Sequence, residues 1–236
     1  MKKILMSGGT GKFAQQILKH NNNYDIIAPS HSEMDISNIG ELEKYFVENS
    51  PDIFLHTAAM TRPMVRHIVD PSLSIQTNII GTSNVALMCI KYGAKLVYLS
   101  TDYVYPGTSG EYKEEDPVKP FNEYAWSKLG GECAAQLCKG ALILRMSMSD
   151  KPFPHRKAFV DVKKNMIYND AAAKLVLRLL DSKGVVNVGG EPRYIYDFVK
   201  EHNPNIDKIS LKDINDVKVA PNPYMNIDKM KRLLNE

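Results

Sequence analysis

Short apolar runs alternate with amphipathic stretches along most of the chain. Lys3–Ser7 is an apolar run that stops at Gly8, and Phe13, Ala14, Ile17 and Leu18 follow at helical spacing. Tyr24–Ala28 predicts a second strand. Leu42, Tyr45, Phe46 and Val47 mark the apolar face of a second helix, with Asp35 or Ser37 as its cap. Ile53–His56 predicts a third strand running into Thr57, Ala58 and Ala59. Pro71 to Tyr92 predicts one long helix, with Ile75, Ile79, Thr82, Val85, Ala86 and Cys89 on one side and Gly93 closing it. The strand Lys95–Ser100, a helix carrying Tyr124 and the strand Ala141–Arg145 continue the alternation. Beyond them come a short strand at Met166–Tyr168, a helix capped by Asn169-Asp170 and running to Leu180, and a strand at Gly184–Val188. A short helix at Tyr194–Lys200 and a terminal helix from Asn226 to Leu234 complete the series. Strands and helices in strict alternation predict an α/β fold with a Rossmann-type doubly wound parallel sheet. Met146–Lys163 holds Pro152 and Pro154, and residues 203–223 hold Pro204, Pro221 and Pro223. Both read as loops. The expectation is a single domain over 1–236, with 146–164 and 193–236 forming a small C-terminal lobe.

Composition narrows the class. With 44% apolar and 24% charged residues over 236 positions, the chain has a globular profile and can bury a sizeable core. No apolar run approaches the roughly 18–20 residues of a membrane helix, so no membrane partner is expected. Gly8, Gly9 and Gly11 break the first apolar run too early for a leader, so Met1-Lys2-Lys3 opens a strand. A net charge of +3 without a basic block argues against nucleic acid. Cys89, Cys133 and Cys138 are odd in number and lack metal-ligand spacing. Cys89 and Cys133 read as small core residues, no metal is expected, and a reducing cytoplasm fits. His56, inside a strand, reads as a satisfied core histidine.

The candidate chemistry begins at the first turn. Gly8, Thr10 and Gly11 lie between a strand and a helix. Gly8 allows a tight turn, Gly11 lets a pyrophosphate approach the backbone, and Ala14 permits close helix–strand packing. The helix N–H groups would then face the phosphates of a dinucleotide. An ordinary glycine-rich turn is the alternative. At the end of the second strand stands Pro29-Ser30-His31-Ser32, with no carboxylate before Glu33. Hydroxyls and an imidazole can bond a 2′-phosphate, which favours NADP(H) and leaves NAD(H) allowed. His31 as a plain loop residue is the other reading. Asp35 suits either an adenine contact or a cap, and Asn78 suits either a structural bridge or the active site. The central stretch is Ser100–Lys128. Thr101 ends a strand, and Tyr124 and Lys128 sit one turn apart on one helix face. A free phenol titrates at about 10. An ammonium beside it would lower that value and make it a proton donor, with Thr101 donating to the substrate oxygen. Arg156 and Arg193 are candidate diphosphate anchors, or surface residues.

G-G-T-G-K-F-A, T-A-A, N-I-I-G-T, S-T-D-Y-V-Y-P-G-T and Y-A-W-S-K resemble the extended short-chain dehydrogenase/reductase superfamily. Within it, D-Y-V-Y-P-G-T, E-E-D-P-V-K-P-F-N-E-Y and the tail P-N-P-Y-M-N-I-D-K are most similar to the dTDP-4-dehydrorhamnose reductase family. The match spans nearly the whole chain and is strongest over 96–135. The resemblance implies NAD(P)H-dependent reduction of the 4-keto group of a nucleotide-linked 6-deoxyhexose, and a homodimer. Tyr124 would be the proton donor, Lys128 its partner and Thr101 the carbonyl hydrogen-bond donor. Gly11, Lys12, Phe13, Asp35, Ile36, Ala58, Ala59 and Met60 would contact the cofactor, and Asp102 the sugar. Two features depart from the family. The segment between Arg145 and Asp170 is shortened, and Met148 stands where the family places an aromatic residue. A sugar-nucleotide epimerase holding NAD tightly is a rival. A 4,6-dehydratase is disfavoured by Asp102-Tyr103 in place of Asp-Glu. The second rival is a non-catalytic NADP-binding regulatory subunit, which the shortened lobe favours and the intact Thr101, Tyr124 and Lys128 disfavour.

Overall fold

The computed structural model describes residues 1–214 and 218–236. Part of the proline-containing stretch 203–223 therefore lies outside the described residues. Six parallel strands form the central sheet. They are β1 (Lys2–Ser7), β2 (Tyr24–Ile27), β3 (Ile53–His56), β4 (Lys95–Thr101), β5 (Leu142–Met146) and β10 (Gly184–Val188), in the order β10-β5-β4-β3-β1-β2. The order reverses between β1 and β3, so a crevice opens above their carboxyl ends.

Alternation along the strands explains why both faces are covered. Ile4, Met6, Ile53, Leu55, Val97, Leu99, Leu142 and Leu144 project to one core. Leu5, Phe54, Leu96, Tyr98 and Ile143 project to the other. The first core is roofed by α1 (Lys12–His20), α7 (Asn169–Leu179) and α9 (Asp228–Leu234). The second is roofed by α2 (Ile39–Asn49), α5 (Thr82–Tyr92) and α6 (Glu123–Gln136). A third, smaller core of Ala158, Val162, Ile195, Val199 and Ile206 gathers Phe153, Phe159, Tyr196, Phe198 and Leu211 around it. It is built from the two segments expected to form the lobe. β7 (Lys157–Phe159) pairs there with β12 (Asp207–Ile209), and β8 (Lys163–Lys164) with β11 (Arg193–Tyr194), which leads into α8 (Ile195–Lys200). β6 (Met148–Ser149) and β9 (Ile167–Tyr168) pair beside the main sheet.

Several elements differ from expectation. α2 is capped by Asn38, whose side chain accepts from the Gly40 and Glu41 N–H groups, rather than by Asp35 or Ser37. Asp35 is engaged one turn earlier, accepting from Ser37 N–H and hydroxyl at 2.8 and 2.9 Å. α7 starts after Tyr168, and the Asn169 side chain turns away to donate to Asp150 at 2.8 Å. A short helix, α3 (Met64–Val69), follows Pro63 and was not anticipated. Pro71–Tyr92 is continuous but not uniform. α4 (Pro71–Ser74) and α5 flank π-helical turns at Ile75–Gly81. Together they make 22 residues long and apolar enough to cross a membrane by length and composition, in contrast to the expectation that no apolar run reaches that size. Here Val85, Ala86, Met88 and Cys89 pack into the second core. Cys133 is exposed on α6 rather than buried, whereas Cys89 and Cys138 are in the core.

Candidate active site

The crevice is lined by a glycine cradle. Gly8 has φ +69°, and a Cβ there would come within 3.1 Å of Ala58. A Cβ on Gly9 would meet the Ala28 carbonyl at 2.0 Å, so only glycine fits. Gly9 N–H donates to Pro29 O at 3.0 Å, which holds the turn against the end of β2. α1 begins at Lys12 with Gly11 as a cap that offers no side chain, leaving the first-turn N–H groups open toward the crevice. A backbone concavity at a helix N-terminus, walled by Ala58, fits the diphosphate of a dinucleotide. Thr10 and Lys12 are exposed at its rim, while Phe13 packs half-buried on the first core. Lys12 Nζ reaches Asp150 at 2.8 Å, and Arg62 stands 3.9 Å from the same carboxylate.

At the end of β2, Ser30 Oγ meets Ser32 Oγ at 3.0 Å, and Glu33 folds back to accept from Ser30 N–H and Oγ at 2.8 and 2.7 Å. A carboxylate thus joins the hydroxyls there. His31 is exposed, 3.9 Å from Asp35. The Ile36 side chain is buried in the second core under Gly81, so it offers a cofactor no side-chain contact. Ala58, Ala59 and Met60 line the crevice beyond β3 half-buried. His56 is fully tied, to Ser7 at 2.8 Å and Thr82 at 3.0 Å. Burial takes it down to about 3, so it is a neutral core residue.

β4 delivers Thr101 to the crevice, and a turn of 3-10 helix at Asp102–Val104 follows. The Thr101 hydroxyl donates to Asp102 Oδ1 at 3.2 Å and accepts from Tyr103 N–H at 3.3 Å. Tyr124 is half-buried on the first turn of α6, with His67 of α3 edge-on at 5.2 Å between centroids. Its phenol lies above, not below, the ordinary value. Burial is the main cause and the Asp102 carboxylate adds to it, while Lys164 and Thr101 act the other way. Lys128 is buried, its ammonium 4.2 Å over the Tyr98 ring. Burial pulls it down to about 7 against the opposing pull of Glu132. The ammonium that bears on the phenol is that of Lys164, paired with Asp102 at 2.9 Å.

Asn78 lies in the π-helical turns, 1% exposed. Its side chain clamps both backbone groups of Met60, at 2.8 and 2.9 Å, and donates to Ser127 of α6 at 2.8 Å. It is a bridge between the crevice wall and the Tyr124 helix. Of the substrate candidates, Met148 packs against the first core, Arg156 is exposed in the lobe, and Arg193 is forked onto Glu201 at 2.5 and 3.0 Å. In this arrangement the Arg193 fork is taken by an exposed carboxylate. Asp102 is likewise committed, one oxygen to Thr101 and the other to Lys164. Lys164 and His67 were missed. One is a lysine among many and the other sits in an unpredicted helix, and neither position carries a motif.

The sequence model of the RmlD substrate binding domain matches residues 1–176. The chain belongs to that family. Among its relatives, methionine adenosyltransferase 2 subunit beta of Bos taurus is 30% identical over 157 residues, covering 61% of this chain and 46% of that protein. The dTDP-4-dehydrorhamnose reductase of Aggregatibacter actinomycetemcomitans is 30% identical over 152 residues, covering 62% and 51%. The alignments thus span about half the length of the curated relatives this RmlD-family chain matches. The crystal structure of dTDP-4-dehydrorhamnose reductase from Bacillus anthracis in complex with NADP superposes with a TM-score of 0.87 at 24% identity, over 99% of this chain and 92% of that one. That likeness fixes the Rossmann-type fold. Within it, this RmlD-family chain keeps Thr101, Tyr124 and Lys128 at one end of the crevice and the glycine cradle at the other.

Proposed function

We propose that the protein reduces the 4-keto group of a nucleotide-linked 6-deoxy sugar with NAD(P)H. The observation that carries this reading is Thr101 at the carboxyl end of β4 and Tyr124 and Lys128 one turn apart on α6, on the side of the sheet where the glycine cradle opens. A reduced nicotinamide would supply hydride to the carbonyl carbon. Gly8, Gly9 and the α1 N-terminus would hold the diphosphate, and Ser30 and Ser32 the adenosine end, with NADP(H) favoured and NAD(H) allowed. Tyr124 passes its proton to the sugar oxygen. Lys128, only partly charged near neutrality, holds the ribose side, and Asn78 keeps α6 against the crevice wall. The substrate is bound between the Asp102–Lys164 pair and the small lobe.

The test is NADPH and NADH oxidation across a panel of 4-keto-6-deoxy sugar nucleotides. Turnover is expected on at least one, and Tyr124→Phe should lower kcat by about 10²–10⁴-fold with cofactor binding retained. Full activity in Tyr124→Phe would remove the phenol from its role. A second reading is favoured by one observation, the similarity to a protein named as a subunit of another enzyme. On that reading the protein binds the dinucleotide and consumes none with any substrate in the panel. We also infer a homodimer through the outer face of the π-helical turns, α5 and α6, where Ile80, Leu87, Ile90 and Trp126 are exposed.

A further inference from the structure

One carboxylate stands beside the glycine cradle and takes up its cations. β6 ends at Ser149 and β9 at Tyr168, and these two residues are register partners, so Asp150 and Asn169 leave the pairing side by side. Asn169 opens α7 and donates to Asp150 Oδ1 at 2.8 Å. The other oxygen takes two cations. Lys12 Nζ donates to Oδ2 at 2.8 Å, and Arg62 Nη1 stands 3.9 Å from it. Lys12 is the first residue of α1, directly after Gly11, and Arg62 follows Met60 on the wall beyond β3.

The two sides of this contact differ in freedom. The Asp150 side chain is 19% exposed and follows directly on the β6–β9 pairing, whereas the Lys12 side chain is 79% exposed. An exposed lysine–carboxylate pair adds little to stability, so Lys12 can leave Asp150 at small cost. The diphosphate of a dinucleotide would sit on the N–H groups of the same α1 turn that carries Lys12. The carboxylate is no further from the Lys12 backbone than one lysine side chain and an ion-pair contact, inside the roughly 10 Å Debye length at 0.1 M salt. From there it draws Lys12 away from the turn and repels an incoming anion.

We propose that Asp150 is an internal competitor of the dinucleotide diphosphate, holding Lys12 and Arg62 as a phosphate would, so that cofactor binding takes Lys12 from Asp150. This rests on the dinucleotide-binding part of the reading above and not on turnover. Asp150 lowers the affinity for reduced and oxidised dinucleotide alike, because both carry the same diphosphate. NADP(H) and NAD(H) are affected equally, since the 2′-phosphate belongs to the Ser30 end of the crevice. Release is hastened as well, because Lys12 returns to a carboxylate already in place as the diphosphate leaves. Product dinucleotide must leave in every turnover of such an enzyme, and this contact keeps that step from becoming slow.

The experiment titrates the full-length parent, Asp150→Asn and Asp181→Asn with NADPH and with NADH, following nicotinamide fluorescence. Asp150→Asn keeps the shape of the side chain and an oxygen for Asn169. Asp181 is paired with Lys2 at the amino end of β1, so Asp181→Asn removes the same charge at the opposite end of the sheet. At about 50 mM salt, Asp150→Asn is expected to bind both dinucleotides about fivefold more tightly than the parent, with slower release. At about 0.5 M salt the gain should fall within about twofold, since screening shortens the reach of the carboxylate. Asp181→Asn is expected at the parent affinity. An Asp150→Asn affinity within about twofold of the parent at low salt, or weaker, overturns the proposal, because the carboxylate then does not compete. A gain of equal size in Asp181→Asn, or one that persists at high salt, overturns it too. If Asp150→Asn does not fold, Asp150→Ser is read by the same criteria. A parent that binds no dinucleotide refutes the cofactor reading and this proposal with it. A parent that binds the dinucleotide and consumes none with any keto-sugar refutes the reductase reading alone, and the affinities still decide the role of Asp150.

Discussion

Two buried lysines, each with its ammonium over a tyrosine ring, are shifted in opposite directions. Burial takes Lys128 down to about 7, with Glu132 as its counterweight. Lys164 is held above its ordinary value because Asp102 and Tyr103 outweigh its burial. The consequences for stability differ in sign. Between pH 7 and the ordinary lysine range, the unfolded chain binds a proton at Lys128 that the folded chain lacks, so Lys128 lowers stability most at and below neutrality. Lys164 does the reverse, stabilising the fold at neutral pH and losing that contribution as pH rises past the ordinary lysine value. Lys128→Met is therefore expected to be inactive yet more stable at pH 7, by on the order of 2 kcal/mol. Its advantage should shrink toward pH 10.5. Thermal unfolding of the two proteins at pH 6, 7 and 10 reads this directly. A variant that is less stable at every pH would show that the Tyr98 contact outweighs the desolvation of the ammonium.

At the scale of elements, the site depends on how closely α6 approaches the π-helical turns. Gly131 makes this possible, since a Cβ there would meet Asn78 O at 2.4 Å. Gly130 faces Ile79 in the same way at 2.9 Å. Close approach lets Asn78 reach Ser127 and Met60 at once. Asn78→Ala should therefore cost about 1–3 kcal/mol, because it leaves the Met60 N–H without its buried partner. It should also lower kcat more than cofactor affinity, since α6 carries Tyr124. Denaturant melts and steady-state kinetics separate the two effects, and unchanged stability would place water or a rearranged backbone at Met60. Much of this region is legible in the sequence. The strict strand–helix alternation gave the sheet, and Gly8, Thr101, Tyr124 and Lys128 follow from spacing, because local backbone geometry dictates them. The π-helical turns leave no trace in hydrophobic period, since Ile75, Ile79 and Thr82 fit an ordinary helix. The Asp102–Lys164 pair joins residues 62 positions apart, and no local pattern records which lysine a buried carboxylate will take.

At the scale of the molecule, a polar seam and an apolar face stand out among the described residues. In the seam, buried Arg145 pairs with Glu132 at 2.6 Å and donates to Tyr105 at 2.7 Å and to Glu114 O at 3.1 Å. Asn187 continues it to Tyr112 O and Asn226 O, sewing the 105–114 loop, β10 and the C-terminal tail together. The apolar face lies on the other side of the second core. Pro71 to Ile90 contains no charged residue. Leu73, Ile80 and Leu87 recur every seventh position and are 41%, 40% and 54% exposed. On the adjoining α6 Trp126 is 59% exposed, and Leu137, which caps that helix, is 81% exposed. An uncharged stripe repeating at seven residues along a helix pair is the pattern of an antiparallel bundle, and a second copy would bring the same stripe to it by twofold symmetry. Trp126→Glu then places a charge on each side of that interface while touching little within one chain. Analytical ultracentrifugation should give twice the chain mass for the parent and the single mass for Trp126→Glu, with the folded spectrum unchanged. A parent that sediments as a monomer at every concentration would leave this face for a different protein, and would strengthen the subunit reading over the reductase.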